Sequence, residues 1–205
     1  TNLPSKKKTI VNTYENTLRD ALRLALEGRG EGAFPDVFNG QPFGVVSIHR
    51  TENIISRYRV ERFVTIIENV AKRYPLLVVM HKATREALRK TGYLDRIEHN
   101  RGIKTTPRLG YFDFIELVDR SAFVISDGGS NQEECFYLGK PVALLRDRTE
   151  RREGVGENCI VTGYSNEEIQ NFIEDLEQYR RTSEPWRYSP SSVVVDELER
   201  NVRGV

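Results

Sequence analysis

The stretch AFVISDGGSNQEECFYLGKPVALL, residues 122–145, decides the fold class. Two short apolar runs, residues 122–125 and 142–145, flank a segment of helix length that ends at Gly139. Apolar runs of this length on either side of a helix are typical of parallel strands in a βαβ unit. Because similar units follow one another along the chain, the sequence predicts an α/β fold, a Rossmann-like doubly wound parallel sheet with helices on both faces.

The other predicted elements follow the same alternation. Strands are continuous apolar runs, and helices show apolar residues at the three- and four-residue spacing of one buried face. Asn166 is predicted to be the N-cap of the helix that follows it. The predicted strands are residues 43–48, 76–80, 102–107, 122–125, 142–145 and 159–163, and the predicted helices are residues 14–28, 60–74, 84–92, 113–120, 131–139, 166–179 and 191–202.

Composition limits the classes of partner. The chain has 205 residues and a net charge of +1, so it offers no general attraction for nucleic acid. Its two cysteines, Cys135 and Cys159, fall in predicted core segments and are expected to be buried thiols in a reducing compartment. There is no signal peptide or apolar run long enough to span a bilayer, so we expect a cytoplasmic protein without membrane contact. Residues 1–12 are predicted to be a linker or a cut edge, and residues 13–205 the folded domain.

Polar residues collect where the predicted strands end. Four such stretches, residues 47–53, 81–84, 126–134 and 146–157, each follow or begin at the end of a strand. The carboxyl ends of parallel strands lie at one edge of the sheet, and ligands of doubly wound folds bind there. The sequence therefore predicts a binding site at this edge.

The glycine-rich loop within residues 126–134 suits an anion followed by a sugar. Gly128 and Gly129 allow the backbone to approach a ligand closely, and Ser130 is predicted, with Asn131, to cap the next helix, whose N-terminus attracts an anion such as a diphosphate. Glu134, one turn into that helix, suits the hydroxyls of a ribose, whereas Glu133 receives no role. The alternative is an ordinary glycine turn followed by a solvated acidic turn.

Two further clusters follow strands. His49 and Arg50 come directly after the first strand and could meet a phosphate, and His49 could also transfer a proton. Several arginines, including Arg151, lie among acidic residues at positions 146–157 and could grip phosphate. Taken alone, the first pair is better explained as structural, and the composition of the second cluster favours a self-neutralising surface loop.

Several other kinds of site are excluded by pattern. The chain has no Walker-type phosphate loop, no Gly-x-Ser-x-Gly elbow and no zinc-ligand spacing. Its GVGENC segment, residues 154–159, is an incomplete dinucleotide-binding pattern in the wrong place. We therefore expect neither a bound cofactor nor a metal.

Four segments in this order resemble the C-terminal half of the UDP-N-acetylglucosamine 2-epimerases. They are the region of residues 12–20, HRTEN at 49–53, GYFDF at 110–114, and SDGGSNQEECFYLGKPVALLRDRTERREGV at 126–155. The resemblance implies one half of a GT-B-type fold, in which two Rossmann-like domains enclose the active site. It also implies inversion at C2 of the sugar, by elimination of UDP and its addition to the other face.

The resemblance implies a role for each matching residue. His49 would contact the diphosphate and is the one catalytic candidate on this chain, with Arg50 beside it. The remaining candidates are Phe114 beside the uracil, Gly128, Gly129 and Ser130 at the diphosphate, Glu134 at the ribose, and Arg151 at the nucleotide. The chain departs from the family pattern at Ser130, which stands two positions later than the family serine, at Arg152 in place of a proline, and at residues 156–158.

The resemblance also implies partners. The substrate would be a UDP-sugar, and the family's catalytic carboxylates lie in an N-terminal domain that this sequence lacks, so the chain alone is expected to be inactive. A homodimer is a further expectation. The alternatives are an epimerase of a related sugar such as UDP-2,3-diacetamido-glucuronic acid, with Arg152 meeting the sugar carboxylate, a GT-B glycosyltransferase, and a non-catalytic UDP-sugar-binding module.

Overall fold

A computed structural model describes residues 10–28, 35–183 and 185–203. The first nine residues of the predicted linker lie outside these ranges, and residues 10–12 have no regular secondary structure. None of the described helices is long and apolar enough to cross a bilayer.

The described strands form one six-stranded parallel sheet in the order β3-β2-β1-β4-β5-β6. This is the doubly wound order, with the chain winding one way from β1 to β3 and the other way from β4 to β6. The predicted fold class is therefore confirmed. The strands are β1 Gly44–Ser47, β2 Leu76–Met80, β3 Ile103–Pro107, β4 Phe123–Ser126, β5 Val142–Leu144 and β6 Cys159–Val161.

The apolar runs form strands because helices cover both faces of the sheet. Every residue of β1, β2, β4 and β5 is buried. Alternate residues enter different cores: Val46 packs in the cluster that includes α3 and α8, and Val45 packs in the cluster on the other face. A Cβ on Gly44 would stand only 2.3 Å from the buried ring of Phe123, so a larger residue at this position would force the packing between β1 and β4 to shift.

The described helices are more numerous than predicted, and two of the predicted ones, α1 and α8, are shorter. Short helices such as α2 and α5 escape sequence prediction because one turn of chain carries no readable periodicity. The described helices are α1 Leu18–Glu27, α2 Thr51–Ile54, α3 Arg57–Ala71, α4 Lys82–Thr91, α5 Leu94–Glu98, α6 Tyr111–Arg120, α7 Gly129–Tyr137, α8 Asn166–Glu174, α9 Leu176–Tyr179 and α10 Pro190–Arg203.

The largest differences from the predicted helix bounds are in α1 and α8. The first helix begins at Leu18, because Tyr14 has a φ of 63° and a mostly exposed side chain, so it cannot belong to the buried helical face. The predicted N-cap at Asn166 is also wrong: Ser165 is the N-cap, and its hydroxyl accepts a hydrogen bond from Glu168 N–H at 3.2 Å. That helix ends at Glu174, and a separate turn of helix follows.

The two cysteines are free and buried, as predicted. Burial raises the pKa of the Cys159 thiol to about 12 and that of Cys135 well above its ordinary value. Both side chains therefore behave as small apolar groups of the core rather than as nucleophiles.

Candidate functional site

A crevice opens where the strand order reverses, between the carboxyl ends of β1 and β4. β1 continues through Ile48 into His49, and β4 continues through Asp127 into Gly128. Because all the strands are parallel, the four polar stretches predicted to lie at this edge do so. The crevice at such a switch point is where doubly wound folds bind ligands.

Asp127 joins the two sides of the crevice. Its fully buried carboxylate accepts hydrogen bonds from the backbone N–H groups of His49 at 3.1 Å and Arg50 at 2.8 Å, and from Nδ2 of Asn53 at 2.7 Å. These N–H groups lie at the start of α2, where no helical carbonyl can satisfy them. One carboxylate from β4 therefore fixes the backbone that carries His49.

The His49 ring lies over the glycine loop and remains accessible. Its side chain is 40% exposed, and its Nδ1 lies 3.4 Å from Asp127 Oδ1. A Cβ on Gly128 would stand 3.4 Å from His49 Cε1, so the ring borders the start of α7. The ring also stacks on that of His81, with centroids 4.6 Å apart, and burial, followed by the charges of His49 and Arg108, lowers the pKa of His81.

The N-terminus of α7 carries no side-chain cap, so the prediction that Ser130 and Asn131 cap it is wrong. Asn131 Oδ1 instead lies 2.7 Å from the Ser126 hydroxyl, which accepts a hydrogen bond from Gly128 N–H at 3.0 Å. Among the described residues, none accepts a hydrogen bond from the N–H groups of Gly129 and Ser130. The helix therefore presents free donors at the crevice.

Arg151 borders the same helix end from the opposite side to His49. Its side chain packs directly over Gly129, where an added Cβ would stand 2.4 Å from Arg151 Nε and 3.0 Å from Cδ. The guanidinium forms an ion pair with the buried carboxylate of Glu133, and the Arg151 side chain as a whole is 29% exposed. Two cationic or ionisable side chains from separate loops thus flank free helical N–H groups.

Gln132 anchors the loop that carries Arg151. Its buried amide Nε2 donates to the carbonyl oxygens of Arg151 at 3.3 Å and Glu153 at 2.8 Å. Its Oε1 accepts from the Thr149 hydroxyl at 2.7 Å. The first turn of α7 thereby fixes the backbone of the arginine loop.

Glu134 lies one turn into α7 with 3% of its surface exposed. Asn131 Nδ2 donates to its Oε2 at 2.9 Å, and the Tyr111 hydroxyl lies nearby without other partners. Burial, opposed by the Asn131 and Tyr111 groups and aided by the charge of Glu133, raises the pKa of Glu134 to about 7. The carboxyl therefore exchanges its proton near neutral pH.

A cleft beside these groups runs towards the ends of β2 and β3. Phe114 is half-buried there, with one side in the core. The cleft combines ring faces and polar atoms, as a nucleoside site requires. Its lining residues are Ser47, His49, Val79, His81, Arg108, Leu109, Tyr111, Phe114 and Asn131.

The remaining predicted site residues are placed less directly. Ser130 is exposed at the start of α7. The Arg50 guanidinium lies 3.5 Å from the carboxylate of Glu52. The contact of Arg50 with the site is made by its backbone N–H, which donates to Asp127. Arg146 pairs with Glu150 at 2.8 Å, as expected of a self-neutralising loop. Arg151 is therefore distinguished from its neighbours by its place over Gly129.

No group of three or more His, Cys, Asp or Glu residues is arranged to hold a metal ion within the described ranges. Carboxylates of the site instead bond to amides, backbone N–H groups and a guanidinium.

The buried Glu134 predicts a pH-dependent stability. Because the folded state raises its pKa from 4.5 to about 7, the folded protein binds this proton more tightly than the unfolded chain. Stability should therefore fall as pH rises through the window from 4.5 to 7, by up to about 3 kcal/mol from this group. Urea unfolding of Glu134→Gln should show a gain over the wild type at pH 8 and little gain at pH 4.5. Parallel pH profiles for the two proteins would contradict the assignment.

Several residues of the site, among them three with ionisable side chains, had no role predicted from the sequence. Asp127, Glu133 and His81 lay inside the polar stretches, but their partners come from distant parts of the chain. The only available signal was position, since Asp127 and His81 each directly follow a buried strand.

Comparisons with known proteins agree with this fold. A family model described as UDP-N-acetylglucosamine 2-epimerase matches residues 5–191. A protein of that name from Methanococcus maripaludis is 29% identical over 174 residues, which is 81% of this chain and 48% of the relative. The chain thus spans about half the length of the curated relatives it matches.

Solved structures show the same fold. The Methanocaldococcus jannaschii UDP-GlcNAc 2-epimerase in complex with UDP-GlcNAc and UDP aligns with a TM-score of 0.79 and 24% identity, over 91% of this chain and 53% of the other. The Neisseria meningitidis enzyme bound to UDP-GlcNAc aligns with a TM-score of 0.76 and 26% identity, over 90% and 54%.

Proposed function

This chain belongs to the UDP-N-acetylglucosamine 2-epimerase family, and from that membership we propose that it is the nucleotide-binding half of such an enzyme. The reaction would convert UDP-N-acetylglucosamine to its C2 epimer by elimination and re-addition of UDP. Residues 13–205 would form the UDP-binding domain. The second half of a full-length relative would supply the facing wall of the cleft and the remaining catalytic groups.

One observation carries this proposal. At the N-terminus of α7, no described residue accepts a hydrogen bond from the N–H groups of Gly129 and Ser130, and the His49 and Arg151 side chains border this turn. Helical N–H groups together with a guanidinium and an imidazole suit a diphosphate, because each can donate a hydrogen bond to a phosphate oxygen. Ser130, exposed at the same turn, would add its hydroxyl.

The nucleoside would extend from the diphosphate along α7. Glu134 lies one turn further along, where its carboxyl can meet the two ribose hydroxyls. Phe114 lines the adjacent cleft and would contact the uracil ring. Along the crevice the phosphates would come first, then the ribose and then the base.

His49 would serve the leaving diphosphate. Asp127 fixes its backbone and lies 3.4 Å from its Nδ1, so the exposed edge of the ring is held towards the start of α7. A ring in that position can donate a proton or hydrogen bond to a departing phosphate oxygen. Arg50 would act mainly through its backbone, since its guanidinium pairs with Glu52.

Several expectations remain predictions. A homodimer, a cytoplasmic location and the lack of turnover by this chain alone are among them. The last has a physical reason: abstraction of a C2 proton requires a positioned base and a closed site, and half of a cleft leaves the sugar in water.

Removing the ribose contact tests the proposal. Glu134→Ala should weaken UDP binding by about 1–3 kcal/mol, the loss expected for hydrogen bonds to a charged or ionisable group. Isothermal titration calorimetry of the purified chain at pH 8 gives the affinity directly. Glu168→Ala, which removes an exposed carboxylate from α8, is the matched control and should leave UDP binding unchanged. Unchanged UDP affinity in folded Glu134→Ala would contradict the assigned ribose contact.

A further inference from the structure

Glu133 is a buried carboxylate beside a site proposed to bind a diphosphate. Only 2% of its surface is exposed, and it lies in the first turns of α7, next to the helix end that would hold the phosphates. A negative charge here repels an anionic ligand, and burying it carries a desolvation cost. Such a group needs a compensating role.

Its contacts indicate that role. Glu133 Oε2 forms an ion pair with Arg151 Nη1, and Asn16 Nδ2 donates to the same carboxylate at 3.2 and 3.4 Å. The carboxylate is thus held on one side by the segment before α1 and holds the guanidinium on the other. Arg151 has three guanidinium nitrogens, so one ion pair leaves further N–H donors for a ligand.

Adjacent residues of α7 hold the two parts of Arg151. Gln132 bonds to its carbonyl oxygen at 3.3 Å and fixes the loop, and Glu133 pairs with its guanidinium. Between these anchors the side chain crosses Gly129, where even a Cβ would displace it. A long arginine side chain otherwise loses much rotamer freedom when it binds a ligand, and prior anchoring reduces that loss.

We propose that Glu133 is a positioning residue, which orients Arg151 across Gly129 so that its guanidinium meets the diphosphate. The inference rests on the proposed function, because it assigns a task within the same nucleotide site. It predicts that the neutral variant Glu133→Gln binds UDP more weakly although it removes a repelling charge. If Glu133 did not position Arg151, removing its charge would strengthen UDP binding instead.

A double-mutant cycle separates these readings. UDP and uridine affinities are measured by calorimetry for the wild type, Glu133→Gln, Arg151→Ala and the double variant. We expect Glu133→Gln to weaken UDP binding about tenfold in the wild-type background and to cause no further loss in the Arg151→Ala background. Uridine affinity should stay unchanged throughout. Glu68→Gln, which removes another ion-paired carboxylate on α3, is the control and should leave both affinities unchanged.

Each other outcome overturns the inference. Equal or tighter UDP binding by Glu133→Gln would show that the carboxylate affects UDP only by repelling its diphosphate. Equal losses of UDP affinity in the wild-type and Arg151→Ala backgrounds would show that Glu133 supports the fold and does not act through Arg151. If Glu133→Gln does not fold, Glu133→Asp decides in its place, because its shorter side chain keeps the charge but withdraws it from Arg151. A wild-type chain that binds UDP no better than uridine would reject the proposed function as well, which distinguishes the two failures.

Discussion

Replacing Asp127 with alanine is expected to lower the free energy of unfolding by about 3–5 kcal/mol, because it leaves several hydrogen-bond donors unpaired at about 1–3 kcal/mol each. The substitution strands the backbone N–H groups of His49 and Arg50 and the amide of Asn53, all of which donate to this carboxylate. Each buried donor left unpaired adds a desolvation cost. Urea unfolding monitored by circular dichroism measures the loss.

Two further variants give reference values for the stability loss of Asp127→Ala. Asp127→Asn keeps the shape but turns an amide donor towards groups that already donate, so it should lose somewhat less stability than alanine. Asp147→Ala removes a carboxylate that is 67% exposed and paired with Arg59, and should cost less than about 1 kcal/mol. An Asp127→Ala protein as stable as the wild type would show that the crevice is held together by other contacts.

Replacing Arg151 with alanine is expected to reduce UDP affinity by roughly 10- to 150-fold, which corresponds to about 1.5–3 kcal/mol for hydrogen bonds between charged groups. Uridine binding should change little, since the nucleoside carries no phosphate for the guanidinium to meet. The loss also includes repulsion from Glu133, which the substitution leaves as a buried carboxylate without its cationic partner. Calorimetry with both ligands measures the difference.

Arg152→Ala is the matched control for this prediction. It lies next to Arg151 on the same loop but is exposed, and it should change UDP affinity by much less. Because Arg151→Ala strands the charge of Glu133, its folding is checked by thermal melting. Equal losses of UDP and uridine affinity would assign Arg151 to packing rather than to phosphate binding.

Much of the fold was predictable because its strands are buried on both faces. Such strands must be continuous apolar runs, and those runs are visible without any partner, as in LLVVM at Leu76–Met80. Helix ends were less predictable, since both Ser165 and Asn166 are good capping residues and only the backbone conformation selects Ser165.

The position of the site could be predicted from the sequence, but most of the side-chain contacts within it could not. Strand ends and glycines indicated the crevice, because they depend on local sequence. The contacts of Asp127 with Arg50 and of Glu133 with Asn16 join residues 77 and 117 positions apart, respectively. No local pattern encodes such pairs, so the roles of both carboxylates emerged only with the fold.

In the proposed complex, the free N-terminus of α7 binds the diphosphate of a UDP ligand. This contact is tested most directly by a ¹H–¹⁵N NMR titration of the wild-type chain with UDP, with uridine as the reference ligand. We predict saturable UDP-dependent shifts of the backbone amides of Gly129 and Ser130 that uridine does not reproduce. Amides at this turn that stay unchanged by UDP, or that shift equally with uridine, would contradict the proposed contact.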